Sequence, residues 1–193
     1  MSRGGDPDGV AAAAFALAGA GSAAGYRGRM DSGAARGAIL GTGIDLVHVP
    51  SFAADLARPG STFASSVFTV GERAAANRRG LTGDALARHL AGRWAVKEAV
   101  IKAWSQALYG APPPIPRDEL QWRDIEVVAD AWGRVAVALH GRVRDAVAAS
   151  LGAGDAGEGT GFPTPASPPQ ERFHISISHD GDNAIAIAIL AAH

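Results

Sequence analysis

The sequence predicts an α+β domain, a small antiparallel sheet packed on one long helix, and two observations carry that prediction. Leu86, Leu90, Trp94, Ile101, Trp104 and Leu108 recur near one face at a period of 3.6 residues, with alanine filling much of the remainder, which is the pattern of a long helix. Towards the C-terminus, Ile175 and Ile177 alternate with Ser176 and Ser178, and Ile185, Ile187 and Ile189 alternate with alanine. Asp180-Gly181 stands between the two runs, so they are two strands joined by a tight turn.

A chain of 193 residues, 47% hydrophobic and with a formal charge of −1, can bury one core and folds as one domain. Its net charge gives no drive toward nucleic acid, although Arg73 to Lys102 holds seven Lys or Arg against Asp84 and Glu98, a balance suited to an acidic partner or a polyphosphate. Cysteine is absent, which removes disulfides, thiolate metal sites and cysteine nucleophiles together and suits a reducing, cytoplasmic interior. No stretch has the length and apolarity of a membrane span.

Residues 1–37 are rich in Ala, Gly and Ser and bury too little area to offset ordering entropy, so they are expected to be a disordered or loosely helical extension. Val10 to Ala18 resembles a weak signal-peptide core, but Asp6 and Asp8 precede it and the run is short. Met30 offers a second start. The folded domain is expected over 38–193. The run from Ala38 through Val49 reads as a buried strand interrupted by Asp45, a carboxylate either exposed by a twist at Gly41 and Gly43 or bound to a cation. Pro50 stops the strand, Ser51 to Leu56 can form a short helix, and Pro59-Gly60 ends it. Phe63 to Phe68 is a short apolar segment. Thr69 and Glu72 have capping-box spacing for a helix through Asn77.

The long helix should follow Thr82-Gly83-Asp84 and run to about Leu108, where Gly110 and Pro112 to Pro114 end it. Residues 124–128 and 135–139 read as a hairpin around Asp130-Ala131-Trp132-Gly133, and Val143, Val147 and Leu151 mark a second amphipathic helix. Residues 152–171 have almost no large apolar side chain and are expected to be a disordered surface loop.

On the long helix, Glu98 and Lys102 stand four apart, with Arg93 and Lys97 one turn earlier. A Glu-to-Lys surface pair accounts for that spacing; so does a site where a carboxylate holds a metal and cations hold phosphate. Asp45 can equally cap or pair, and His179 can equally bond the backbone of its turn.

Taken together, Gly43-Ile44-Asp45, the run Trp94-Ala95-Val96-Lys97-Glu98-Ala99-Val100-Ile101-Lys102-Ala103, and Ser176-Ile177-Ser178-His179 resemble the motifs of the 4′-phosphopantetheinyl transferases. The match is to the small holo-acyl-carrier-protein synthase group in its actinobacterial form, and it runs from about Ile39 to Leu190. The resemblance implies a transfer of 4′-phosphopantetheine from coenzyme A to a serine of an acyl carrier protein in fatty acid biosynthesis, releasing 3′,5′-ADP. The same transfer to polyketide or peptide synthetase carriers is the alternative.

By the same resemblance Asp45 and Glu98 would be the protein ligands of a Mg²⁺ ion that keeps waters and substrate phosphates. Lys102 would act on the pyrophosphate. Arg93, Lys97, Ser178 and His179 are candidates for coenzyme A contacts, and His179 with Asp180 could instead take the proton of the carrier serine. Small members of the family are trimers with coenzyme A at subunit interfaces, so a homotrimer is expected. One departure concerns carrier docking: the helix after the first strand carries Ser51, Phe52, Asp55 and Arg58 where many relatives have arginines. Arg58, Arg73, Arg78 and Arg79 could supply the positive surface instead. A non-catalytic coenzyme A binding module and a pyrophosphate hydrolase are the rivals from other classes.

Overall fold

A computed structural model describes residues 37–152 and 172–192. The expected extension over 1–37 and the expected loop over 152–171 therefore fall almost wholly outside the described residues. In chain order the elements are β1 (Ile39–His48), α1 (Val49–Ala57), α2 (Phe63–Val67), α3 (Val70–Arg78) and α4 (Gly83–Ala107). They are followed by β2 (Ile125–Ala129), β3 (Val135–Leu139), α5 (Gly141–Gly152), β4 (Phe173–Asp180) and β5 (Asn183–Ala191).

The strands form two antiparallel sheets rather than one: a three-stranded sheet in the order β1-β5-β4, and the β2-β3 hairpin by itself. In the larger sheet Ala184, Ala186, Ala188 and Leu190 of β5 are buried toward α4, and the small size of the three alanines lets the helix lie close. The alternate residues face outward, and the register sets Ile44 opposite Ile187 and Leu46 opposite Ile185.

Gly41 and Gly43 prove to be packing residues, and the register of β1 on β5 shifts between Ile39 and Gly41. A Cβ on Gly41 would lie 2.2 Å from the Ala103 carbonyl oxygen, and one on Gly43 would lie 2.0 Å from that of Ala99. The backbone of α4 thus rests on the backbone of β1, which fixes the height at which Glu98 and Lys102 stand beside Asp45.

Two short helices differ from expectation. Pro50 ends β1 but sits inside the first turn of α1, where its missing N–H costs nothing, so the helix starts at Val49 and not Ser51. The apolar segment after it is a single helical turn and a half, α2, whose Phe63 packs edge-on against Phe52 at 5.6 Å and Trp94 at 5.5 Å. The capping box at Thr69 is present: its Oγ1 accepts from the Glu72 N–H at 3.0 Å, and Glu72 Oε2 accepts from the Thr69 N–H at 2.9 Å. The hairpin and α5 stand where the sequence places them, within a residue or two.

Candidate functional site

Because α4 lies against β1, Asp45 and Glu98 come to line one cleft of about 200 Å³, together with His48, Ser51, Phe52 and Trp94. Lys102 Nζ donates to Asp45 Oδ1 at 2.8 Å and to the Ile44 carbonyl at 3.0 Å. The lysine therefore reaches across to the strand, and of the two readings of the spacing the Glu98-to-Lys102 surface pair gives way to a pairing of Asp45 with Lys102. Glu98 is only 4% exposed. Burial, then the charge of Asp45, pushes its pKa up to about 7, while Lys102 and Arg117 pull the other way.

A buried carboxylate whose charge is disfavoured by burial and by a neighbouring carboxylate makes a site that a cation would relieve. Among the described residues no three His, Cys, Asp or Glu side chains gather as metal ligands, so the protein would supply two carboxylates. That donor set fits a hard divalent ion that keeps water and phosphate oxygens in its shell, and does not fit a closed structural metal centre.

The remaining candidates divide. His179 Nε2–H donates to the Arg88 carbonyl oxygen at 3.1 Å, which leaves Nδ1 outside that contact. A Cβ on Gly92 would lie 3.0 Å from His179 Nε2, so this glycine admits the imidazole against α4. Ser178 is exposed on the opposite face of the sheet, where its register partner is Ile185. Asp180 is exposed at the turn and pairs with Asn183 in the ladder. Arg93 is almost buried and sets its Nη1 3.2 Å from His89 Nδ1.

Lys97 requires a correction. Its ammonium is fully buried, 3.0 Å from Glu72 Oε2, and donates as well to the carbonyls of Trp122 and Ile125. Burial lowers its pKa and the Glu72 carboxylate opposes that shift. With these partners it has no face to offer a ligand, and it ties α4 to α3 and the start of β2. Capping-box spacing marks Glu72 only as a capping residue. Glu72 also accepts from the Val127 N–H at 3.0 Å, which makes it the buried counter-ion of the fold. No local spacing links residues 72 and 97, so pattern alone could not pair them. Of the proposed docking arginines, Arg58 is engaged by Asp55 at 2.6 Å, while Arg73 and Arg78 are exposed.

A model of the 4′-phosphopantetheinyl transferase superfamily matches residues 41–156, more than half of the chain, and spans Asp45, Glu98 and Lys102. The chain belongs to that superfamily. Within it, the holo-[acyl-carrier-protein] synthase of Corynebacterium glutamicum strain R is 47% identical over 152 residues, 79% of this chain and 98% of the relative. That of Mycobacterium tuberculosis H37Rv is 42% identical over 154 residues, covering 80% and 98%. Among solved structures, a coenzyme A complex of the Chronobacterium ammoniagenes enzyme is similar at 45% identity and a TM-score of 0.65, covering 79% of this chain and 96% of that one. The Mycobacterium tuberculosis acyl carrier protein synthase follows at 38% identity and a TM-score of 0.51, covering 80% and 99%. The transferase fold, with its long helix against an antiparallel sheet, is the fold described above.

Proposed function

We propose that this chain is a holo-[acyl-carrier-protein] synthase that moves 4′-phosphopantetheine from coenzyme A to a serine of apo acyl carrier protein. The observation that carries the reading is the meeting of Asp45 and Glu98 on one cleft, with Lys102 bonded to Asp45, in a chain 42–48% identical to relatives bearing that name. Those names favour the acyl carrier protein over polyketide or peptide synthetase carriers, and with it a place in fatty acid biosynthesis.

In the reaction the serine oxygen bonds to the β-phosphorus of the pyrophosphate, the bond from that phosphorus to the bridging oxygen breaks, and 3′,5′-ADP leaves with the electron pair. Asp45 and Glu98 would hold Mg²⁺, which when bound neutralises charge on the phosphate oxygens. Lys102 fixes the Asp45 carboxylate by its 2.8 Å contact and adds a positive charge beside the pyrophosphate. The serine proton must go to a base. His179, with its Nδ1 outside the Arg88 contact and with Asp180 beside it in sequence, is one candidate, and a coenzyme A contact is its other role.

The outer sheet face supports the expected homotrimer. Ile44 and Leu46 are 57% and 62% exposed, and they adjoin Ile187 and Ile185 in a continuous apolar stripe that a single chain leaves bare. Other copies of the chain would cover that stripe, and Ser178 on the same face would then meet coenzyme A at a subunit boundary. No helix among the described residues is long and apolar enough to cross a membrane, in keeping with a cytoplasmic enzyme.

The test is release of 3′,5′-ADP from coenzyme A with and without apo carrier. Release only with carrier supports the transferase. Release without carrier marks a hydrolase, and coenzyme A binding with no release marks a binding module. Sedimentation that found an active monomer would overturn the trimer.

A further inference from the structure

Beside the site, two guanidinium groups share one imidazole nitrogen. Arg93 Nη1 lies 3.2 Å from His89 Nδ1, one turn earlier on α4, and Arg79 Nη1, from the C-cap of α3, lies 3.3 Å from the same atom. A guanidinium has donors only, so Nδ1 accepts in both contacts and the ring is neutral with its proton on Nε2. The charged and titratable groups facing His89 are Arg79, Arg93 and His179; with burial, all three hold its pKa down to about 4. His89 therefore remains an acceptor throughout the neutral range.

The cluster is incomplete as it stands. Among the described residues neither Arg79 nor Arg93 forms an ion pair, and Glu72, the carboxylate acting on Arg93 through space, is committed to Lys97. Arg93 is 7% exposed, yet its Nε–H has no hydrogen-bond partner, and neither has the buried Nε2 of His89. Two cations held side by side repel each other, and buried donors without acceptors are costly. An anion with several oxygens relieves that repulsion. Arg79 is exposed, so such an anion can reach the pair from solvent. His179 packs against the neighbouring turn of α4 at Gly92, which places the cluster next to a candidate coenzyme A contact.

We propose that His89 is a positioning residue for phosphate recognition: its Nδ1 clamps Arg79 and Arg93 into one guanidinium pair that grips a phosphate group of coenzyme A. The inference rests on coenzyme A being the co-substrate. His89→Leu removes the acceptor, whereas His89→Asn returns an amide oxygen close to the place of Nδ1.

Isothermal titration of coenzyme A and of 3′,5′-ADP into the full chain, run beside transfer kinetics, reads the clamp. His89→Leu is expected to weaken both ligands about tenfold, the scale of a charge-assisted contact, with the loss appearing in KM for coenzyme A rather than in kcat. His89→Asn should recover most of that loss. Arg79→Gln should weaken binding alone and add little to His89→Leu; being at the surface, it also keeps the test open if His89→Leu fails to fold. Wild-type affinity in Arg79→Gln, or equal affinities for the folded Leu and Asn variants, overturns the clamp. A wild-type protein that neither binds coenzyme A nor modifies a carrier overturns the functional reading instead, and the two failures are distinct.

Discussion

Glu98→Gln separates what the buried carboxylate costs the fold from what it contributes to the reaction. Its pKa of about 7 in the fold stands against a value of 4.5 unperturbed, a difference of about 2.5 units. The folded state therefore binds this proton more tightly than the unfolded chain, so stability is highest below about pH 4.5 as far as this group is concerned and falls as pH rises to 7. At about 1.4 kcal/mol per unit the full loss is about 3 kcal/mol, an upper value because a relaxed site admits water. Urea unfolding of metal-free protein at pH 5.5 and pH 8 measures it. Wild type should lose stability between those values, and Glu98→Gln should lose less, ending at pH 8 at least as stable as wild type. Transfer activity should meanwhile fall by about a hundredfold or more, the scale of lost electrostatic stabilisation at a reacting phosphate. A variant that is less stable at pH 8 and turns over normally would refute the assignment of Glu98 to a cation site.

Other perturbations reach the scaffold and the carrier surface. Gly43→Ala would drive a methyl group to 2.0 Å from the Ala99 carbonyl oxygen, which belongs to rigid helix backbone, so a urea midpoint should show a loss at the top of the ~1–3 kcal/mol range of overpacking or beyond it; a neutral result would mean that α4 does not rest on β1 as described. Lys97→Met strands the Glu72 carboxylate in the core and should cost about 3–5 kcal/mol, partly recovered in the double variant with Glu72→Gln. A stable Lys97→Met with a raised KM for coenzyme A would instead return Lys97 to the ligand. With Arg73 and Arg78 exposed, the KM for the acidic carrier should rise with ionic strength; a KM flat from low to high salt removes that surface from docking.

The elements were legible because their signals are local. Helical periodicity marks α4, the Thr69 to Glu72 spacing marks the start of α3, and Asp180-Gly181 marks the last hairpin. Motif resemblance likewise named Asp45, Glu98 and Lys102 without any view of how they meet. What the sequence withheld are relations across distance. Whether Lys102 turns to Glu98 or to Asp45 depends on the approach of α4 to β1, which depends on two glycines that locally read as a twist. Lys97 shares its helix and its sign of charge with Lys102, yet the first ends in the core against Glu72 and the second reaches Asp45 on β1. Five residues are enough to turn one side chain inward and the other outward when each meets a different neighbour. His89 carried no motif at all, and only the arrival of Arg79 from α3 gives it a role.

The measurement closest to the central claim is the intact mass of apo acyl carrier protein after incubation with this protein, coenzyme A and Mg²⁺, with and without chelator. The account predicts a gain of one phosphopantetheine that the chelator abolishes. A carrier of unchanged mass, with the protein folded and coenzyme A bound, contradicts it.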